Sequence, residues 1–154
     1  MKVIAYDSYV KQVEGVELCS SLDQVFRQAD FVSIHVPYMK ETHHLVDARL
    51  LRMMKPDSCL INTSRGEVVD EEALIEALKN GAIAGAGLDV FEQEPPSLDN
   101  PLFRFDNVVS TPHSSALSRE CELKLAMAAA KAVVDYVEGR QPMYVYNKKE
   151  LQLK

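Results

Sequence analysis

Residues able to do acid–base or anion chemistry recur at one kind of place in this 154-residue chain, at or just beyond a short apolar, β-branched run. Asp7 follows Val3–Tyr6, and His35 stands near the end of Phe31–Val36. Arg65 follows Ser58–Asn62. Asp89 and Glu94 close and follow Ala84–Val90, and His113 follows Val108–Thr111. An acid, a guanidinium and an imidazole are the parts of an acid–base site with an anion clamp. Singly, each has a plainer reading: Arg65 and Glu94 as loop charges, His113 as a strand terminator, Asp7 as a turn residue. The His43-His44 pair has no carboxylate or Cys at metal-ligand spacing, so no metal site is expected. Gly85-Ala86-Gly87 is not a dinucleotide loop, because Val90 stands where the third glycine would be.

The elements that must position these residues are legible. Several of the runs are apolar without alternation, as in strands buried on both faces of a parallel sheet. Helices with readable ends lie between them. Ser21 and Gln24 form a capping box opening a helix to about Ala29. Asp47 caps a short helix stopped by Pro56, and Asp70 caps one that Gly81 ends, with Val69 and Leu74 at staple positions. Ser118 caps the longest, whose Leu123, Met127, Ala130, Val134 and Val137 make an apolar stripe ended by Gly139 and Pro142. This alternation predicts an α/β, doubly wound parallel sheet, with ligands at the C-terminal strand ends. Residues 1–142 read as the domain, Pro95–Phe105 as a surface loop and 143–154 as a polar tail or linker.

Composition narrows the function. With 17 Lys+Arg against 23 Asp+Glu the net charge is −6, which disfavours nonspecific nucleic-acid or anionic-membrane binding. Apolar residues make up 47%, enough for a globular core. No apolar run reaches the ~18 residues of a membrane span, and no secretory signal opens the chain. The three cysteines, none in a Cys-x-x-Cys spacing, fit a reducing, cytoplasmic setting.

Three longer stretches are more specific than any single residue. Ile61-Asn62-Thr63-Ser64-Arg65-Gly66-Glu67-Val68-Val69-Asp70-Glu71-Glu72-Ala73-Leu74 resembles a signature of the D-isomer-specific 2-hydroxyacid dehydrogenases. So do Ala84-Gly85-Ala86-Gly87-Leu88-Asp89-Val90-Phe91-Glu92-Gln93-Glu94-Pro95 and Asn107-Val108-Val109-Ser110-Thr111-Pro112-His113. The resemblance covers nearly the whole chain and looks closest to the phosphoglycerate and glyoxylate/hydroxypyruvate dehydrogenase branch. It implies a Rossmann-like NAD-binding domain and hydride exchange between NAD and a small 2-hydroxy or 2-keto acid. It gives the catalytic roles to Arg65, Glu94 and His113. It places Asp7 on the adenosine ribose, which favours NAD over NADP. His35, Val36 and Pro37 would line the adenosine side, and Thr42 resembles the family's threonine near the cofactor. Thr63, Ser64, Arg65, Asp89, His113 and Ser115 would line the nicotinamide end, although Ser114-Ser115-Ala116 departs from the glycine-rich sequence of many relatives. The resemblance also implies a homodimer.

The family enters this domain through a strand and a Gly-x-Gly-x-x-Gly turn that holds the pyrophosphate, and neither is in this sequence. In the 3-2-1-4-5-6 order that strand is central, so its two neighbours should show unpaired edges. The residues therefore read as the C-terminal part of such a dehydrogenase. A non-catalytic nucleotide-binding or oligomerisation module derived from the family is the alternative.

Overall fold

The structure, a computed structural model, describes residues 1–148, so the part of the expected tail from 149 on lies outside the described residues. The expected domain falls into two compact units that divide after Ser114.

The first unit carries six parallel strands in two sheets. Strands β1 (Ile4–Ala5) and β2 (Glu17–Leu18) form one. The other runs in the order β3 (Phe31–Ile34), β4 (Cys59–Asn62), β5 (Gly85–Leu88), β6 (Val108–Ser110). Neither β1 nor β3 pairs on its other side among the described residues. The parallel strands thus form two separate sheets among the described residues, with β1 and β3, the two strands expected to flank the central one, each at an open edge. Phe31, 67% exposed, and Ser33 face outward while Val32 and Ile34 are buried, so one face of β3 is uncovered, where the sequence predicted strands buried on both faces. β2 has no counterpart in the sequence reading, because two residues, one of them Glu17, leave no apolar run to detect.

Helices α1 (Leu22–Gln28), α2 (Ala48–Leu51) and α3 (Glu71–Lys79) connect the strands. Asp47 Oδ1 accepts from the Leu50 N–H and Asp70 Oδ1 from the Ala73 N–H, so both expected caps form. The box at α1 is offset by one residue. Ser21 Oγ accepts from the Gln24 N–H, but Gln24 Oε1 accepts from the N–H of Ser20, not Ser21. Val69 and Leu74 are both buried, as a hydrophobic staple requires. Leu60, Leu88, Leu74, Leu51, Phe26 and Ile83 pack one continuous core between sheet and helices. The expected loop Pro95–Phe105 is not wholly irregular. Asn100 Oδ1 accepts from the Leu102 N–H and opens a single 3-10 turn, Pro101–Arg104, whose Leu102 is buried in the core.

The second unit is built on α4 (Arg119–Val137), capped by Ser118 Oγ accepting from the Cys121 N–H. Its stripe is present but uncovered: Leu123 is 65% and Met127 63% exposed. Asp135 closes the helix end by accepting from Lys131 Nζ at 2.7 Å and from Arg140 Nε and Nη2 at 2.9 and 2.7 Å. Among the described residues no helix is long and apolar enough to cross a membrane.

Candidate active site

The site is assembled by the turns that leave β4, β5 and β6. Asn62, the last residue of β4, is buried. Its Oδ1 accepts from the Ser64 N–H and hydroxyl, and its Nδ2 donates to the Arg65 carbonyl. This fixes the turn, which presents Arg65 to solvent with Nη1 on the Ser64 carbonyl at 2.6 Å. Gly66 comes next because only glycine fits: a Cβ there would overlap the Phe91 carbonyl and the Glu92 amide. The Arg65–Gly66 turn therefore lies backbone against backbone on the segment that carries Glu94.

Asp89, just past β5, is buried. Its Oδ1 accepts from the Thr111 hydroxyl at 2.5 Å and from the Ser114 N–H at 2.8 Å. Its carbonyl accepts from the His113 N–H at 2.8 Å. These bonds hold His113 at φ +50°, a left-handed conformation that costs a non-glycine residue roughly 1 kcal/mol or more. The imidazole then points Nδ1 at Glu94 Oε2, 2.8 Å away, while Glu94 Oε1 accepts from the Phe91 N–H. Partial burial acts to raise the Glu94 pKa. Hydrogen bonds from His113 and the Phe91 N–H, with the charges of His113 and Arg65, outweigh it and hold the carboxyl below its usual range. Beside the pair opens a cavity of about 560 Å³ walled by Phe91, Phe103, Pro112 and Thr111 as well as Glu94 and His113. An ionised carboxylate on one imidazole nitrogen, with the other free and a guanidinium at hand, is an arrangement that can move a proton at an anionic substrate.

The structure brings Arg65, Asp89, Glu94 and His113 together. The other expected positions have local partners. Asp7 Oδ1 accepts from the Tyr9 and Val10 N–H groups at 2.7 and 2.9 Å, which lowers its pKa. His35 Nε2 meets Ser33 Oγ at 2.8 Å, and Val36 packs against the core. Thr42 Oγ1 donates to the Pro37 carbonyl and accepts from the Met39 N–H, folding the loop after β3. Thr63 is exposed beside Ser64, and Ser115 opens the second unit. Asn62, Gly66 and Thr111 were not singled out from the sequence, though each stands inside a recognised motif. His44 and Glu92 were missed for a different reason. They lie 48 residues apart and meet only in the fold, with His44 Nε2 2.5 Å from Glu92 Oε1.

Comparison with known proteins identifies the family. The D-isomer specific 2-hydroxyacid dehydrogenase, NAD binding domain family matches residues 1–115. A glyoxylate reductase of Thermofilum pendens is 47% identical over 135 residues, covering 88% of this chain and 40% of that protein. A D-3-phosphoglycerate dehydrogenase of Methanocaldococcus jannaschii is 39% identical, covering 96% of this chain and 29% of that protein. The crystal structure of D-lactate dehydrogenase with NAD+ from Lactobacillus jensenii superposes with a TM-score of 0.87 at 30% identity. It covers 95% of this chain and 48% of that one. The chain thus spans less than half the length of these relatives. With the family's NAD-binding domain matched over three-quarters of the residues, the chain belongs to the NAD-binding domains of the D-isomer specific 2-hydroxyacid dehydrogenases.

Proposed function

We propose that the protein carrying these residues is an NAD-dependent dehydrogenase that interconverts small 2-hydroxy and 2-keto acids. The observation that carries this reading is the 2.8 Å pairing of His113 Nδ1 with Glu94 Oε2 at the mouth of the cavity. With Glu94 ionised, Nδ1 keeps its hydrogen and Nε2 is the nitrogen left to exchange a proton with the C2 oxygen. Arg65 holds the substrate carboxylate through its fork and polarises the carbonyl beside it. Glu94 stabilises the imidazolium that forms on oxidation, and Phe91 and Phe103 keep water from that side of C2. The donor set suits the nicotinamide and ribose ends of NAD, which supplies the hydride acceptor when bound. Thr63, Asp89 and Ser115 would border the nicotinamide, Asp7 the adenosine ribose and His35–Pro37 the adenosine side, with Ser64 and Thr42 also near the cofactor. A homodimer and a cytoplasmic location complete the reading.

For residues 1–154 taken alone, the divided sheet favours a second reading, a nucleotide-binding or oligomerisation module without turnover. Steady-state NADH oxidation with glyoxylate, hydroxypyruvate, pyruvate and phosphohydroxypyruvate tests the first reading. Saturable turnover with one or more acids supports it, and none from any form of the protein overturns it. An NADH fluorescence titration of the 154-residue chain tests the second.

A further inference from the structure

The geometry points to Glu92 as the positioning residue of the His113–Glu94 pair. Among the described residues no hydrogen bond or ion pair joins it to His113, yet three separate parts of the chain converge on it. Its Oε1 meets His44 Nε2 at 2.5 Å, both side chains being about a third exposed. Its N–H donates to Glu71 Oε2 at 3.1 Å, at the first turn of α3. Its peptide with Phe91 rests on Gly66, whose missing Cβ makes the room.

The partners are themselves held. His44, at φ +49°, donates its N–H to the Glu67 carbonyl at 2.9 Å and stacks on His43 with ring centroids 3.9 Å apart. Tyr38 meets His43 edge-on, with ring centroids 5.9 Å apart. Glu71 Oε1 accepts from Asn100 Nδ2, the residue that opens the 3-10 turn. The segment 91–94 is therefore clamped at Glu92 from the β3 side and from α3. The consequence falls on Glu94. The Phe91 N–H is aimed at Glu94 Oε1, which leaves Oε2 for His113. Once the His44 hold is lost, the turn at 91–92 loosens, the Phe91 N–H, which lies in the peptide preceding Phe91, leaves Glu94 Oε1, and Glu94 loses one of the two bonds that orient it. Glu92 thus acts on the proton carrier through Glu94. That it serves catalysis rests on the proposed function, whereas the clamp itself does not.

The test needs no turnover. In the isotope-labelled 154-residue chain, NMR follows the Glu94 carboxyl titration and the exchange of the Phe91 N–H. Glu92→Ala is expected to move the Glu94 midpoint upward and to speed Phe91 exchange roughly tenfold, the loss of about one hydrogen bond. The Leu60 and Leu88 amides of the core keep their protection. His44→Ala copies the effect, which keeps the test intact if Glu92→Ala does not fold. Glu92→Gln, whose amide can still pair with His44, restores both readouts. An unchanged Glu94 midpoint with unchanged Phe91 exchange in the alanine variants overturns the inference. So does a Gln variant as impaired as the alanine one. Because neither readout involves substrate, a chain that passes while every acid fails in the NADH assay separates a true clamp from a wrong functional reading.

Discussion

His113 Nδ1 and Glu94 Oε2 stand 2.8 Å apart although the residues leave different strands, β6 and β5. Asp89 makes this possible by holding both Thr111 and Ser114 from its one Oδ1. In any active form of the protein His113→Ala should cut kcat by about 10²–10⁴, the usual worth of positioned acid–base catalysis. Arg65→Ala should raise KM and lower kcat together, because it removes the anion clamp. Steady-state kinetics on both variants decides; near-normal turnover by either is incompatible with these roles.

Gly66→Ala should destabilise the first unit by about 1–3 kcal/mol, the ordinary cost of forcing an extra carbon into a packed site. The added Cβ meets backbone at Phe91 and Glu92 rather than a flexible side-chain end, so relief requires displacing the segment that carries Glu94. Urea unfolding followed by circular dichroism measures it. A variant as stable as the parent would show that the two turns do not touch in solution.

How far the sequence led depends on the range of the interaction involved. Caps at Asp47, Asp70 and Ser118 lie three residues from the N–H groups that donate to them and could be read directly. Arg65, Glu94 and His113 were legible because their motifs are long and specific, and the structure draws them to one end of the sheet. The clamp on Glu92 was illegible, since neither His44 nor Glu71 announces a partner that lies 48 or 21 residues away. Leu102 was hidden in a stretch rich in turn residues, whose loop character was correct for most positions but not for the one that enters the core.

The carboxylates set the acid limb of stability. Burial raises the Glu94 pKa, but the bonds and charges around it win and leave it below the ordinary 4.5. Asp135, held by Lys131 and then Arg140, and Asp7, held by the Val10 and Tyr9 N–H groups, are lowered too. A group depressed on folding stabilises fully above its unfolded pKa and loses that contribution as pH falls through the folded one. Thermal midpoints should therefore hold near neutrality and fall from about pH 4.5 downward. Glu94→Gln should flatten this limb, and an unaltered limb would mean that Glu94 is not depressed.

On the proposed function, cofactor choice rests with Asp7. Its Oδ1 is occupied by the Tyr9 and Val10 N–H groups, which keeps the carboxylate ionised and fixed beyond β1. Ser8, Tyr9 and Val10 supply no cation to offset a 2′-phosphate. NADH should bind more tightly than NADPH by roughly tenfold, the worth of about 1.5 kcal/mol for one hydrogen bond to a charged group. Asp7→Ala should remove the preference. Equal affinity for the two in the unaltered protein would exclude Asp7 from the ribose.

Residues 1–154 by themselves should not turn over at an enzyme's ordinary rate. Residues 1–154 hold six glycines and no Gly-x-Gly-x-x-Gly turn, the arrangement that would offer the cofactor phosphates a row of backbone N–H donors at a helix start. β1 and β3 each keep an open side, and no strand among the described residues joins their sheets. Charge-assisted bonds to phosphate contribute about 1.5–3 kcal/mol each, so losing two or three weakens NAD by orders of magnitude. Arg65, Glu94 and His113 remain assembled, yet a reacting centre displaced by ~1 Å loses about 10²-fold in rate. The purified chain, assayed with NADH and the four keto acids, should show at most a trace of oxidation. Saturable turnover near ~10 s⁻¹ would refute this and require that the chain or its oligomer build a phosphate site from other residues.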